Sequence, residues 1–195
     1  LPIALYSLLT VLLVLSLARH ISGNTETGYI AALVFLGFSS TFQHGRPFLT
    51  NMPETFFMFL VFYLLIRFRR AELQWQFWIM AGLLMGAASL YRSFAVIAPM
   101  GLALGWYCWW RRRWSLLDTI RKDWWKPTVA VVIGLLCFAI WPLLDPKPEL
   151  IFEKFLLKEN VGKLSNGNYF QGLFSGSYTL FRIWFGALTN AGLLV

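Results

Sequence analysis

Apolar residues fall in long blocks along this chain, and polar residues collect between them. Seven apolar stretches can be marked, at about 2–18, 29–42, 54–66, 75–91, 94–110, 127–144 and 178–195. In lipid, helix is the only open structure that satisfies its own backbone groups, so each stretch is predicted to be helical. A full crossing takes about 20 residues. The shorter stretches must therefore borrow flanking residues or tilt within a bundle. The predicted fold class is all-α, a polytopic transmembrane helix bundle. The segment 149–164, "ELIFEKFLLKENVGKL", behaves differently. Ile151, Phe152, Phe155 and Leu156 fall on one side at helical spacing, and Glu159 and Lys163 form a favourable i,i+4 pair. It is predicted to be an interfacial helix within an external loop at about 145–177. The stretch after it carries Gly167, Gly172 and Gly176 and reads as a flexible loop that closes over a ligand.

Composition supports the membrane reading. Of 195 residues, 58% are hydrophobic and only 13% charged, against roughly 25% charged in a soluble domain. Mean hydropathy is +0.60. The chain opens at Leu1 and stops at Val195 inside an apolar run, so 1–195 is read as a partial transmembrane domain continuing beyond both ends. Cys108 and Cys137 lack C-x-x-C spacing, and the two histidines are His20 and His44, which argues against a Cys/His metal site. The net charge of +8 is assigned to cytoplasmic Lys and Arg beside lipid phosphate and not to nucleic acid.

Charge also sets orientation. Arg19, "RFRR" (67–70), "RRR" (111–113) and the segment 121–126 hold ten of the seventeen Lys and Arg residues. All are expected in the cytosol. The region 29–66 must then go out and back, turning at 43–53, and 75–110 must do the same, turning near "LYRSF" (90–94). Eight of the ten tryptophans, from Trp75 to Trp125, flank the proposed cytoplasmic connections, as an interfacial belt requires. The segment 114–126 reads as an amphipathic stretch on the inner surface. Three polar elements therefore converge on the outer face: 43–53, the turn around Arg92, and 145–177. Converging polar groups at a membrane surface are a site hypothesis.

Each candidate has a plain alternative. Arg46 and Glu54 read equally as solvated loop charges. Pro47 and Pro53 bracket a segment expected to lie outside regular helix. Thr50 or Asn51 is a natural cap for the next helix, with Pro53 and Glu54 in its first turn. Arg92 interrupts a 36-residue apolar region. It reads either as an interfacial anchor that snorkels to the surface or as a phosphate ligand whose planar fork meets two oxygens.

Four stretches occur in a suggestive order: "LPIALYSLLTVLLVLSLARHISG", "HGRPFLTNMPETFFMFLVFYLLIR", "MAGLLMGAASLYRSFAVIAPM" and "KENVGKL". Together they resemble bacterial membrane glycosyltransferases of the GT-C superfamily, namely the aminoarabinose lipid A transferases and relatives of the protein O-mannosyltransferases. The resemblance implies a multi-pass enzyme of the bacterial inner membrane. It would transfer a sugar from a polyprenyl-phosphate-linked donor to a lipid or protein acceptor on the periplasmic face. The family's carboxylate in its first outer loop would precede Leu1. Within the chain, Asn51 stands where the family's R-x-x-x-T-D-x-P pattern has its acid, and Asn cannot act as a base. That departure leaves Glu54 as the carboxylate available to substitute. Arg92 stands where the family's Thr-Lys-Gly-Pro turn has its phosphate-binding Lys. "ENVGK" matches a Glu-Asn-x-x-Arg pattern, placing Glu159, Asn160 and Lys163 in the substrate site with Arg46.

The charge that develops on a departing polyprenyl phosphate suits Arg92 and Lys163 in a partly dry site. Asn51 and Glu54 suit sugar or acceptor positioning. No cofactor is implied, and the participation of a divalent cation is left open. The alternative function is a non-catalytic lipid or small-molecule transporter. Against it stands the scarcity of mid-span charges, which ion-coupled paths use.

Overall fold

The computed structural model describes residues 2–37, 51–68, 74–91, 94–147 and 185. Regular structure among the described residues is entirely helical. The helices are α1 (Pro2–Ser22), α2 (Thr25–Gly37), α3 (Asn51–Arg67), α4 (Trp75–Tyr91), α5 (Ile97–Arg111), α6 (Leu116–Lys122) and α7 (Trp125–Leu144), with a 3-10 turn at Phe94–Val96. The expected helix at 149–164, the loop after it and the stretch 178–195, Phe185 excepted, lie outside the described residues. Two helices are long and apolar enough to cross a membrane, Ile3–Ser22 and Trp125–Leu144. Between them, α2 to α5 have 13 to 17 residues and α6 has 7, short of the roughly 20 that a perpendicular crossing takes.

Helix ends depart from the hydropathy pattern where capping and chain geometry intervene. α1 runs on through Arg19 and His20 to Ser22. Gly23 then ends it with φ +71 and donates its N–H to the Arg19 carbonyl at 2.9 Å. A left-handed residue after the last turn is the commonest helix stop, and glycine takes it without a Cβ penalty. Asn24 Oδ1 accepts from the Glu26 N–H at 2.9 Å and starts α2. α3 begins at Asn51, and Pro53 and Glu54 sit in its first turn, as a cap at Thr50 or Asn51 predicts. The missing N–H of Pro53 is harmless there, because first-turn N–H groups have no acceptor within the helix.

Contacts along each helix fix their relative directions. Tyr6 meets Phe56 and Phe57, and Ser16 bonds Tyr63. α1 and α3 therefore run parallel, while α2 doubles back on α1 with Gly28 against Leu15 and Arg19. Phe57 stacks on Tyr91, which makes α3 and α4 antiparallel. α4 and α7 are parallel and touch most closely through small residues. A Cβ on Gly82 would lie 2.8 Å from the Ala130 carbonyl, and one on Gly86 would lie 2.5 Å from Cys137 Cβ. This is a G-x-x-x-G surface against Ala130 and Gly134, the arrangement that lets backbones approach where no hydrophobic drive exists between helices. α5 returns antiparallel, with Gly101 against Val131 and Phe94 on Phe138. The core joins α3, α4, α5 and α7 around the fully buried Trp78, Met85, Ile97, Met100 and Leu104.

The outward faces are as apolar as the core. Leu5, Leu8 and Leu12 point out from α1, and Val132, Leu135, Leu136 and Ile140 from α7, while α7 turns Ala130, Gly134 and Phe138 inward. A helix apolar all round is normally surrounded by protein or by lipid. Cys108 is buried in the core, and Cys137 packs against Gly86; both are apolar packing residues.

The connection between α5 and α7 closes the basic end. Asp123 is buried and bonds Arg112 from one side and Lys126 from the other, the latter at 2.5 Å. Burial pushes its carboxyl up, but the two cations outweigh this and hold it below the usual carboxylate range. Ser115 caps α6 and, with Lys122, lowers Asp118. Arg113 and Trp114 take left-handed backbone, φ 51 and 66. The Trp114 ring is held edge-on by Trp106 and Trp109 at 5.2 and 4.9 Å between centroids. Leu116, Leu117 and Ile120 of α6 remain exposed, giving the short amphipathic surface helix expected for this segment.

Candidate functional site

The helix directions sort the polar segments by end. Arg19 and Arg67 line one pocket at the end where α1 and α3 finish, and α5 finishes at that end with Arg111. The start of α1, the start of α3, the end of α4 and the end of α7 lie at the other. Asn51, Tyr91 and Leu144 therefore lie at one end of the bundle.

At that end the first turn of α3 carries the two candidates that the structure describes. Asn51 is half-buried, and its carbonyl accepts from Thr55 Oγ1 at 2.8 Å. It is the first helical residue of α3 and so not its cap, a role the sequence left open between Thr50 and Asn51. Glu54 lies in the first turn, where the helix dipole favours a negative charge. It is half-buried, and its Oε2 is buried from solvent. Met52 and Pro53 beside it are buried, so the carboxyl is rooted in packed structure. Glu54 and Phe57 are three positions apart and share a helix face.

Phe57 leads to a cluster that sequence reasoning missed. The Tyr6 ring lies 5.5 Å from Phe56, 5.7 Å from Phe57 and 5.8 Å from Tyr91, centroid to centroid. Phe57 stacks on Tyr91 at 6.0 Å with 26° between planes. The Tyr6 and Tyr91 hydroxyls are 2.8 Å apart. Three helices are thus pinned together by aromatic rings one turn below Glu54. Tyr6 and Tyr91 each carry one local signal, a hydroxyl inside an apolar run, and Tyr91 also adjoins Arg92. Arg92 follows Tyr91 by one peptide bond and lies outside the described residues, as do Arg46, Glu159, Asn160 and Lys163. The structure thus joins Asn51 and Glu54 to the chain leading into Arg92. No group of three His, Cys, Asp or Glu side chains suited to a metal ion occurs among the described residues.

Glu54 and the aromatic cluster thus lie one helical turn apart at the end of an apolar bundle. The family model described as dolichyl-phosphate-mannose-protein mannosyltransferase matches residues 1–141. The chain belongs to that family. No curated protein and no solved structure matches it. The mannosyltransferase family match runs from the start of α1 to Trp141 of α7 and so contains Tyr6, Arg46, Asn51, Glu54, Tyr91 and Arg92. Glu159, Asn160 and Lys163 lie beyond it. The family is one of membrane glycosyltransferases that take sugar from a polyprenyl-phosphate donor. The likeness to GT-C glycosyltransferases expected from the order of motifs is therefore borne out.

Proposed function

We propose that this chain forms part of a multi-pass enzyme of the bacterial inner membrane. It transfers a sugar from a polyprenyl-phosphate donor to a lipid or protein acceptor at the periplasmic face. The observation that carries the reading is the placement of Glu54: a carboxyl with one oxygen buried, in a helix first turn, above the Tyr6–Phe57–Tyr91 cluster. The basic ends of α1, α3 and α5 then face the cytosol. The short α2 to α5 pass through the bilayer as tilted members of the bundle, and 145–177 forms the external segment with its interfacial helix at 149–164.

The chemistry follows from charge and dryness. Breaking the bond between the sugar and its phosphate leaves negative charge on the polyprenyl phosphate. Arg92 stabilises that charge, and Lys163 approaches it from the external segment. Glu54 accepts the proton of the attacking acceptor hydroxyl or orients that hydroxyl, and Asn51 and Arg46 bind sugar oxygens. An aromatic floor suits the apolar face of a sugar ring and the first isoprene units. A general base of this kind contributes about 10² to 10⁴ in rate.

The test is Glu54→Gln in the full-length enzyme, reconstituted in vesicles with a polyprenyl-phosphate sugar. Transfer is expected to fall at least about 100-fold while thermal unfolding stays close to wild type. Undiminished turnover would remove Glu54 from the reaction.

A further inference from the structure

The opposite end of the bundle holds a second polar feature that sugar transfer does not use. Ser16, Arg19, His20, Gly23 and Arg67 line an open pocket of about 410 Å³ where α1 and α3 finish. Cations at helix C-termini complement the macrodipole, which accounts for each one separately. It does not account for their convergence from two helices onto one cavity. Among the described residues, no ion pair involves Arg19, His20 or Arg67. The pocket lining brings two arginines together with no carboxylate among its described residues, which suits an anion from outside. The Gly23 backbone leaves the mouth clear, because a Cβ there would meet nothing within 4 Å. The helix carbonyls at this end repel anions, so any anion is held by side chains, and Arg binds phosphate in a two-point fork.

We propose that this pocket binds a phosphate group, supplied by the headgroup of an anionic membrane lipid. Tyr6 and Arg19 are thirteen positions apart on one helix, so the site lies about 20 Å from the aromatic cluster. It is therefore distinct from any donor phosphate beside Arg92. The lipid source depends on the bundle being membrane-embedded, but the pocket does not depend on Glu54.

The test uses the full-length protein, delipidated in neutral detergent. Retention of dioleoyl phosphatidylglycerol and dioleoyl phosphatidylcholine is measured by native mass spectrometry, and thermal shift is measured with inorganic phosphate against chloride at equal ionic strength. Each basic residue near an anionic surface contributes roughly fivefold. Arg19→Gln with Arg67→Gln should therefore weaken phosphatidylglycerol retention about 30-fold and leave phosphatidylcholine unchanged. Arg19→Lys with Arg67→Lys should keep most retention even if the Gln pair folds poorly. Arg121→Gln, an exposed charge outside the pocket, should cost no more than about fivefold. A phosphate-dependent thermal shift in wild type that vanishes in the Gln pair would support the same anion site with a soluble source. Equal lipid retention and equal thermal shift in wild type and the Gln pair would overturn the inference. Sugar transfer lost in Glu54→Gln with lipid retention intact separates the two sites.

Discussion

The hydroxyls of Tyr6 and Tyr91 meet at 2.8 Å, joining the first turns of α1 to the last turn of α4 across 85 positions of chain. The stack of Phe57 on Tyr91 adds α3, the helix carrying Glu54, to the same junction. The hydroxyl bond is an exposed one between neutral groups and stabilises the fold by about 0.5 kcal/mol. Its larger effect is on geometry.

Tyr91→Phe keeps the ring stack on Phe57 and loses only the hydroxyl. Its melting temperature is expected to stay near wild type, with most transfer activity retained. Tyr91→Ala removes the stack at the end of α4, next to Arg92 in the chain. A misplacement of about 1 Å in a catalytic group costs about 100-fold in rate. Steady-state transfer assays on the two variants check this, and equal activity in both would show that the stack does not position such a group.

Gly86 is the tightest point between α4 and α7. Gly86→Ala puts a methyl where Cys137 Cβ already sits. Neither backbone can give easily, so the cost is expected at about 1–3 kcal/mol, as for overpacked cores. Cys137→Gly in the same chain should recover much of the loss. Gly105, which has open space around it, should accept Ala with little change or a small gain. Thermal unfolding in detergent reports all of these.

Asp123 makes stability depend on pH. Its folded pKa is depressed by Arg112 and Lys126 against the opposing effect of burial. Ionisation therefore favours the folded state. The contribution is complete above the unfolded value of roughly 4 and fades as pH falls through the lower folded value. Asp123→Asn should lower the melting temperature at neutral pH and narrow its difference from wild type as the solution is acidified. A constant difference down to the most acidic condition would assign the effect to packing.

Arg113 and Trp114 both occupy left-handed backbone, yet opposite outcomes are expected for glycine at each. Arg113→Gly relieves about 1 kcal/mol of backbone strain and loses an exposed side chain. It should be neutral or stabilising in a melt. Trp114→Gly relieves similar strain but removes the ring held between Trp106 and Trp109. It should be destabilising, since an aromatic pair contributes about 0.5–1.5 kcal/mol beyond its buried area.

Helix content and the six apolar helices of the described residues between 2 and 144 were legible from hydropathy. Those properties are local: an apolar run of given length must satisfy its backbone internally, and Lys and Arg must stay wet. The placement of Glu54 in the first turn of α3 was legible for the same reason, from Pro53 and the polar cluster around it. The error came at a boundary such as Ser22, where a helix runs past its apolar run to a glycine stop.

What the chain's pattern alone determined, then, is a basic end and a polar end on a bundle of apolar helices. Only tertiary structure decided which faces meet. Helices apolar on every side carry no mark of the inward direction, so Tyr6, Phe57 and Tyr91 look like filler until α1, α3 and α4 are rotated against one another. Close approach of backbones is likewise a property of two helices at once, which is why Gly82 and Gly86 acquire meaning only beside Ala130, Gly134 and Cys137. The pocket between Arg19 and Arg67 has the same origin: each cation suits its own helix end, and their convergence is a consequence of parallel packing.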